Sequence, residues 1–220
     1  MLSELDRTIN YLQKIDTEDE KKELLSQYRL DSSYISTLKK EIENIEKDEF
    51  KNSKEKGDAL EKLAKNILTF NNMFSVDSNL HSSTNEVDLV LTLNPGARLI
   101  LSTLYPNLSK LQYIGECKNY NKKVDVTWVG KVHSLLNLHN FDICLLFSRK
   151  GFTGRNWDGG KGLSKKIALK ENLYVIDISF DDIKSLEEVS VIELIDSKYL
   201  EIIHDIDYTK YLSKHPAETD

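Results

Sequence analysis

The chain has 220 residues, 40% of them apolar and 30% charged, with a formal net charge of −6 from 30 basic and 36 acidic side chains. That suffices for one sizeable buried core, or one domain with a helical appendage. No run approaches the roughly 18 apolar residues of a membrane span and no signal-peptide pattern opens the chain, so a cytoplasmic protein with no membrane partner is expected.

The negative total hides a division. From Asp177 to Asp220 there are 4 lysines against 12 acidic residues, a net of −8; from Lys110 to Tyr174 there are 12 basic against 5 acidic, a net of +7. Local charge decides where a phosphate backbone can lie, so the overall acidity does not exclude nucleic acid. Cys117 and Cys144 both fall in apolar strand-like runs and read as small buried hydrophobes.

Residues 1 to about 55 read as helices. Leu2, Leu5, Ile9 and Leu12 repeat at three-four spacing, as do Ile35, Leu38, Ile42 and Ile45. Between them Thr17-Glu18-Asp19-Glu20 has the form of a capping box that opens a helix through Leu24, Leu25 and Tyr28. Such narrow seams imply a small bundle, a dimer contact or, over Leu24 to Ile42, a helix-turn-helix set on DNA. The balance of 10 basic against 14 acidic residues through Glu55 weighs against the last.

The spacing then predicts a helix over Lys56–Thr69, strands near Phe74–Val76, Glu86–Leu91 and Leu111–Lys118, and a helix over Val126–Leu138. A strand over Asp142–Phe147, a helix over Leu163–Glu171 and a strand over Leu173–Ile178 follow. This is α/β layering around a short mixed sheet. Leu99-Ile100-Leu101 is open between loop and an extra strand. The glycines at 159, 160 and 162 read as a turn before a helix, since no Gly-Lys-Ser/Thr follows at phosphate-loop spacing. After Asp181 an acidic helical cap is expected, with a frayed tail from Ser213.

Two of the strands carry charge where it is costly. Asp88 interrupts the apolar run Glu86-Val87-Asp88-Leu89-Val90-Leu91, and Glu116 and Lys118 interrupt Tyr113-Ile114-Gly115-Glu116-Cys117-Lys118. Side chains alternate along a strand, so Glu116 and Lys118 share one face while Cys117 points to the other. Two carboxylates and an ammonium on neighbouring strands are the parts for metal-assisted phosphodiester hydrolysis. A cross-strand salt bridge accounts for the same residues without chemistry.

These segments resemble the PD-(D/E)XK, or restriction-endonuclease-like, nucleases. The likeness runs from about Lys56 to Ile178. Lys56-Gly57-Asp58-Ala59-Leu60-Glu61 looks like the family's first core helix with its glutamate. Asn85-Glu86-Val87-Asp88 carries the aspartate, without a proline before it, and Gly115-Glu116-Cys117-Lys118-Asn119 carries the Glu-x-Lys. Val126-Thr127-Trp128-Val129-Gly130-Lys131-Val132 with Phe147-Ser148-Arg149-Lys150-Gly151-Phe152-Thr153-Gly154 is similar to the Mrr-like branch.

The resemblance implies three parts: an N-terminal helical region over 1–55, a nuclease core over 56–180, and an acidic cap and tail over 181–220. It implies a Mg²⁺-dependent endodeoxyribonuclease, with Mn²⁺ able to substitute, that leaves 5′-phosphate ends and serves restriction or antiphage defence. Asp88, Glu116, Glu61 and the Cys117 backbone carbonyl would hold the metal. Lys118 would orient or deprotonate the water, or neutralise the phosphate. Glu61 sits at the border of its helix's buried stripe, and an i,i+4 pair with Lys65 is its ordinary alternative. Lys131, His133, Ser148, Arg149, Lys150 and Thr153 are candidate DNA contacts. The expected partners are DNA, a second copy of the chain and other subunits of a defence system. A nuclease-derived module that binds DNA without cutting, and a helical interaction protein, remain as alternatives.

Overall fold

The computed structural model describes residues 3–12, 15, 17–81, 86–155 and 157–204. Its centre is one five-stranded sheet in the order β1-β2-β3-β4-β5. The strands are β1 (Phe74–His81), β2 (Glu86–Leu93), β3 (Tyr113–Lys118), β4 (Ile143–Ser148) and β5 (Tyr174–Ile178). The first three pair antiparallel and the last three parallel, which makes the sheet mixed. β4 is buried along its whole length, as a central strand covered on both faces must be.

Helices cover both faces. Helix α1 (Glu4–Leu12) comes first in the chain and the short α6 (Pro106–Ser109) precedes β3; on one side of the sheet lie α2 (Glu18–Ser26), α3 (Ser32–Lys47), α4 (Ser53–Thr69), α5 (Pro95–Leu104) and the C-terminal helices α9 (Phe180–Lys184) and α10 (Val191–His204). They enclose one apolar core that includes Leu25, Ile42, Leu60, Leu63, Leu101, Tyr113, Cys117, Ile183 and Ile192. On the other side α7 (Val126–His139) and α8 (Gly159–Glu171) bury Val129, Val132, Leu163 and Ile167 against Ile114, Cys144, Leu146 and Val175. Alternation in β3 is therefore realised: Tyr113 and Cys117 face the first core, while Ile114 faces the second.

The expected α/β class and mixed sheet are present, with four changes of detail. Leu99-Ile100-Leu101 is helical, because Pro95 opens α5 at a position where its missing N–H is no loss. β1 runs on to His81 rather than stopping at Val76. Helix α8 begins at Gly159, so Gly162 lies inside it rather than before it. The second N-terminal seam is not a separate bundle: Ile35, Leu38, Ile42 and Ile45, with Leu25, belong to the same core as the sheet, and the Tyr34 hydroxyl donates to the Asn66 carbonyl of α4 at 2.8 Å; the side chains of Leu2, Leu5 and Leu12 in the first seam lie outside the described residues. The acidic cap is helical as expected through α9 and α10, and the tail from Ser213 lies outside the described residues.

The Thr17–Glu20 box forms as read, with the Glu20 amide donating to the Thr17 hydroxyl and the Thr17 amide to the Glu20 carboxylate, both at 3.2 Å. No helix among the described residues is long and apolar enough to cross a membrane.

Candidate functional site at the end of the β2–β3 ladder

β2 and β3 pair only over Leu89–Leu91 against Tyr113–Gly115. The last pair, Leu89 with Gly115, is tight: a Cβ on Gly115 would sit 3.1 Å from Leu89 Cδ1. Beyond it backbone pairing stops, and a side chain takes over. Asp88 Oδ2 accepts the Cys117 amide proton at 2.8 Å. Continuing the antiparallel register by one residue sets Asp88 opposite Glu116, so both carboxylates rise from the face covered by α7. In an extended strand the N–H and C=O of one residue point to the same side, so the Cys117 carbonyl faces the same gap.

Lys118 follows two residues after Glu116 and completes the group. Its ammonium bonds Glu116 Oε1 directly and lies 4.0 Å from Asp88 Oδ2. The other Glu116 oxygen, Oε2, is buried with no hydrogen-bond partner. Leaving an acceptor of a 2% exposed carboxylate unsatisfied is expensive unless something else fills it.

The electrostatics follow from this crowding. Burial raises the Glu116 pKa above the ordinary carboxylate value; Lys118 opposes the shift and Asp88 adds to it. For Lys118 burial pulls downward, but the Glu116 charge and hydrogen bond prevail and the net shift is upward. Lys118 is therefore an ammonium at neutral pH.

Aromatic residues finish the wall. Lys118 Nζ stands 4.4 Å from the centroid of the Trp128 ring, and Lys131 Nζ 5.0 Å from it. Tyr120 lies against Trp128 with ring centroids 5.8 Å apart. The chain turns sharply here, the Tyr120 amide donating to the Lys118 carbonyl at 2.9 Å.

Of the residues singled out in the sequence, Asp88, Glu116, Lys118 and the Cys117 backbone come together. Glu61 sits on α4, on the opposite face of the sheet from Glu116. Its charge, after burial and Asp88, helps push up the pKa of the Cys117 thiol.

The six candidate DNA contacts divide. Lys150 is exposed, and Lys131 is exposed beside Trp128. His133 pairs with Glu171 at 2.7 Å. Thr153 accepts the Gly160 amide at 3.1 Å at the start of α8. Two require correction. Ser148 is 1% exposed and its hydroxyl accepts the Gly151 amide at 3.0 Å, inside the turn where Gly151 takes a positive φ of 68°. Arg149 is 7% exposed, donates to Asp48 at 3.1 Å and bonds the Asn119 side chain. Both hold the fold, and neither presents its polar end to a ligand.

Sequence reasoning missed Tyr120 as part of the site, and it read Trp128 only as part of a family-like stretch. Their spacing of two and ten residues from Lys118 was the available signal.

Among the described residues no group of three or more His, Cys, Asp and Glu side chains is arranged to hold a metal ion. The donor set still fits a hard divalent cation. Such an ion needs one or two carboxylates, with backbone carbonyl, water and phosphate oxygens completing the shell. Asp88, the orphaned Glu116 Oε2 and the Cys117 carbonyl are donors of that kind. No family model, curated protein sequence or solved structure matches the chain.

Proposed function

We propose that the chain is a Mg²⁺-dependent endodeoxyribonuclease with a restriction-endonuclease-like core, Mn²⁺ substituting for Mg²⁺. The observation that carries the reading is the buried, half-satisfied Glu116 carboxylate between Asp88 and Lys118. A cross-strand salt bridge alone would leave no reason to bury an unpartnered oxygen there. Asp88, Glu116 and the Cys117 carbonyl would hold the ion, which supplies Lewis acidity and a water of lowered pKa. Lys118 would orient or deprotonate the attacking water, or donate to the charge that develops on the phosphate oxygens. Trp128 holds that ammonium over its ring, and Lys131 adds positive charge beside it. Glu61, whose charge is felt at Cys117 as those of Asp88 and Glu116 are, would be a further donor to the ion.

A role in cytoplasmic restriction or antiphage defence, with other subunits, rests on family likeness. A homodimer supplies two active sites for a two-stranded cut. The second reading, a nuclease-derived module that binds DNA without cutting, is favoured by the Lys118 ammonium already occupying one Glu116 oxygen and by the lack, among the described residues, of a group of three metal-holding side chains.

Incubation of plasmid with the protein in Mg²⁺, Mn²⁺ or EDTA separates the two. Cleavage in both metals, absent in EDTA and in Lys118→Ala, supports hydrolysis. DNA binding with no cleavage in any metal supports the second reading.

A further inference from the structure

We infer that Tyr120 is a stacking platform for an unpaired base, so that the preferred substrate exposes an unpaired nucleotide beside the scissile phosphate: single-stranded, flapped or frayed DNA. The inference deepens the proposed function and rests on it for the identity of the ligand.

Three independent features carry it. Tyr120 is 37% exposed, one of three large hydrophobic side chains among the described residues left open to solvent. Its ring is not loose, because it leans on Trp128 at 5.8 Å, and Trp128 in turn carries the Lys118 and Lys131 ammonium groups at 4.4 and 5.0 Å from its ring. Finally, the turn from Lys118 to Tyr120, closed by the Tyr120 amide on the Lys118 carbonyl at 2.9 Å, keeps the ring beside the charged group.

An open, braced aromatic face next to two ammonium groups is the composition of a single-strand site: cations follow the phosphates and the ring takes a base. A continuous duplex has no base face to offer, since each is covered by its neighbours. Tyr120 can therefore discriminate between the two forms, which a simple electrostatic surface cannot.

The structural alternative is that Tyr120 merely shields Trp128. An apolar side chain of similar bulk would do that equally well, whereas only an aromatic face stacks on a base.

The test is fluorescence anisotropy of the full chain in EDTA with Ca²⁺ omitted, on a labelled oligothymidine strand and a labelled hairpin duplex, with wild type, Tyr120→Phe, Tyr120→Leu and Tyr120→Ala. Wild type and Tyr120→Phe are expected to prefer the single strand. Tyr120→Leu and Tyr120→Ala are expected to lose about tenfold in the ratio of single-strand to duplex affinity, the effect of one stacked base. An unchanged ratio in Tyr120→Ala, or rescue by Tyr120→Leu, overturns the inference even if the protein cuts plasmid. Strand preference with the expected variant series, but no cleavage, upholds it and removes the hydrolytic reading instead. No binding to either probe overturns the inference and leaves the hydrolytic reading to the plasmid assay in Mg²⁺.

Discussion

The carboxylate of Asp88 accepts the Cys117 amide at 2.8 Å and faces the Lys118 ammonium at 4.0 Å. One side chain thus ends the β2–β3 ladder and contributes to the charged group that the ladder's end exposes. The two duties separate by substitution. Asp88→Asn keeps an acceptor for the Cys117 amide, and Asp88→Ala does not. Both are expected to abolish Mg²⁺-dependent plasmid nicking. Only Asp88→Ala is expected to lose about 1–2 kcal/mol of stability, the consequence of an unsatisfied backbone donor. Thermal melts followed by circular dichroism, run beside the nicking assay, check it. Nicking by Asp88→Asn at the wild-type rate would remove Asp88 from the ion's shell.

Glu116 and Lys118 set a pH-dependent stability. The folded-state pKa of Glu116 lies above its ordinary value, because of burial first and Asp88 besides. In the window between the two values the folded chain holds a proton that the unfolded chain has released, so stability falls as pH rises through it. Removing the ammonium widens that window. Lys118→Met is expected to be destabilised by about 3 kcal/mol at neutral pH, where a buried carboxylate has lost its partner. The deficit should shrink as pH falls toward the ordinary carboxylate range and Glu116 takes up its proton. Glu116→Gln, which keeps a hydrogen-bonding oxygen, should melt above Lys118→Met at neutral pH and approach it in acid. Melting temperatures across pH without metal decide this, and a Lys118→Met deficit that grows in acid would reverse the sign.

Mg²⁺ should stabilise the folded chain by binding it and not the unfolded one. At a concentration of about 100 Kd that is worth about 2.7 kcal/mol. For a chain of this size it raises Tm by several degrees, at roughly 2–4 °C per kcal/mol. Glu116→Ala, lacking the orphaned oxygen, should show no Mg²⁺-dependent rise and no cleavage while remaining folded. A metal-induced rise of equal size in Glu116→Ala would place the ion elsewhere.

How much of this was legible beforehand follows from which interactions are local. Asp88, Glu116 and Lys118 were legible because charge inside an apolar run is anomalous wherever it occurs, and strand alternation fixes which of them share a face. Glu61 is legible as a carboxylate at the border of its helix's buried stripe, but spacing does not say which face of the sheet α4 covers, and that face is the one Cys117 points to. Arg149 reads as a phosphate contact because it stands in a strand-end loop with Gly151 and Gly154. Its partner Asp48 is 101 residues away, at the left-handed end of α3 with a φ of 59°, and no sequence pattern links the two. Whether Leu99-Ile100-Leu101 is strand or helix depends on Pro95, which opens the helix that contains it.

Arg149 is therefore expected to fail as a binding residue and matter as a structural one. Its guanidinium ties the loop after β4 to Asp48, and Asp48 is also paired with Lys56 at 2.7 Å near the start of α4. Arg149→Met should lower stability by about 3 kcal/mol, leaving Asn119 and Asp48 without their shared donor. Arg149→Lys should recover little, because an ammonium cannot serve two partners in the geometry of the planar fork. DNA affinity per folded molecule, measured by anisotropy, should be unchanged in Arg149→Lys. A selective loss of affinity at an unchanged Tm would restore it to the binding surface.

The N-terminal helices give the last prediction. Their three-four seams on short segments are marginal alone in water, so they must pack on something. The something is the sheet layer: Leu25, Leu38, Ile42 and Ile45 are each no more than 2% exposed within the main core. Each such side chain contributes about 1.5–3 kcal/mol by burial. Four of them make up a large share of the 5–15 kcal/mol that holds a typical domain. Salt bridges from Arg29 to Glu193 at 3.5 Å and from Lys39 to Glu187 at 2.7 Å bind the same helices to the C-terminal cap. The Lys39–Glu187 pair is exposed and adds little, and the half-buried Arg29–Glu193 pair is long, so the apolar seam decides. A truncated chain that starts at Lys54 should therefore aggregate or bind a hydrophobic dye, and should lose its cooperative melt rather than persist as a smaller active nuclease. Light scattering, dye fluorescence and calorimetry on the truncated and full-length chains test this. A soluble, cooperatively melting product that nicks plasmid at the full-length rate would show that the sheet and α4 hold together without α2 and α3.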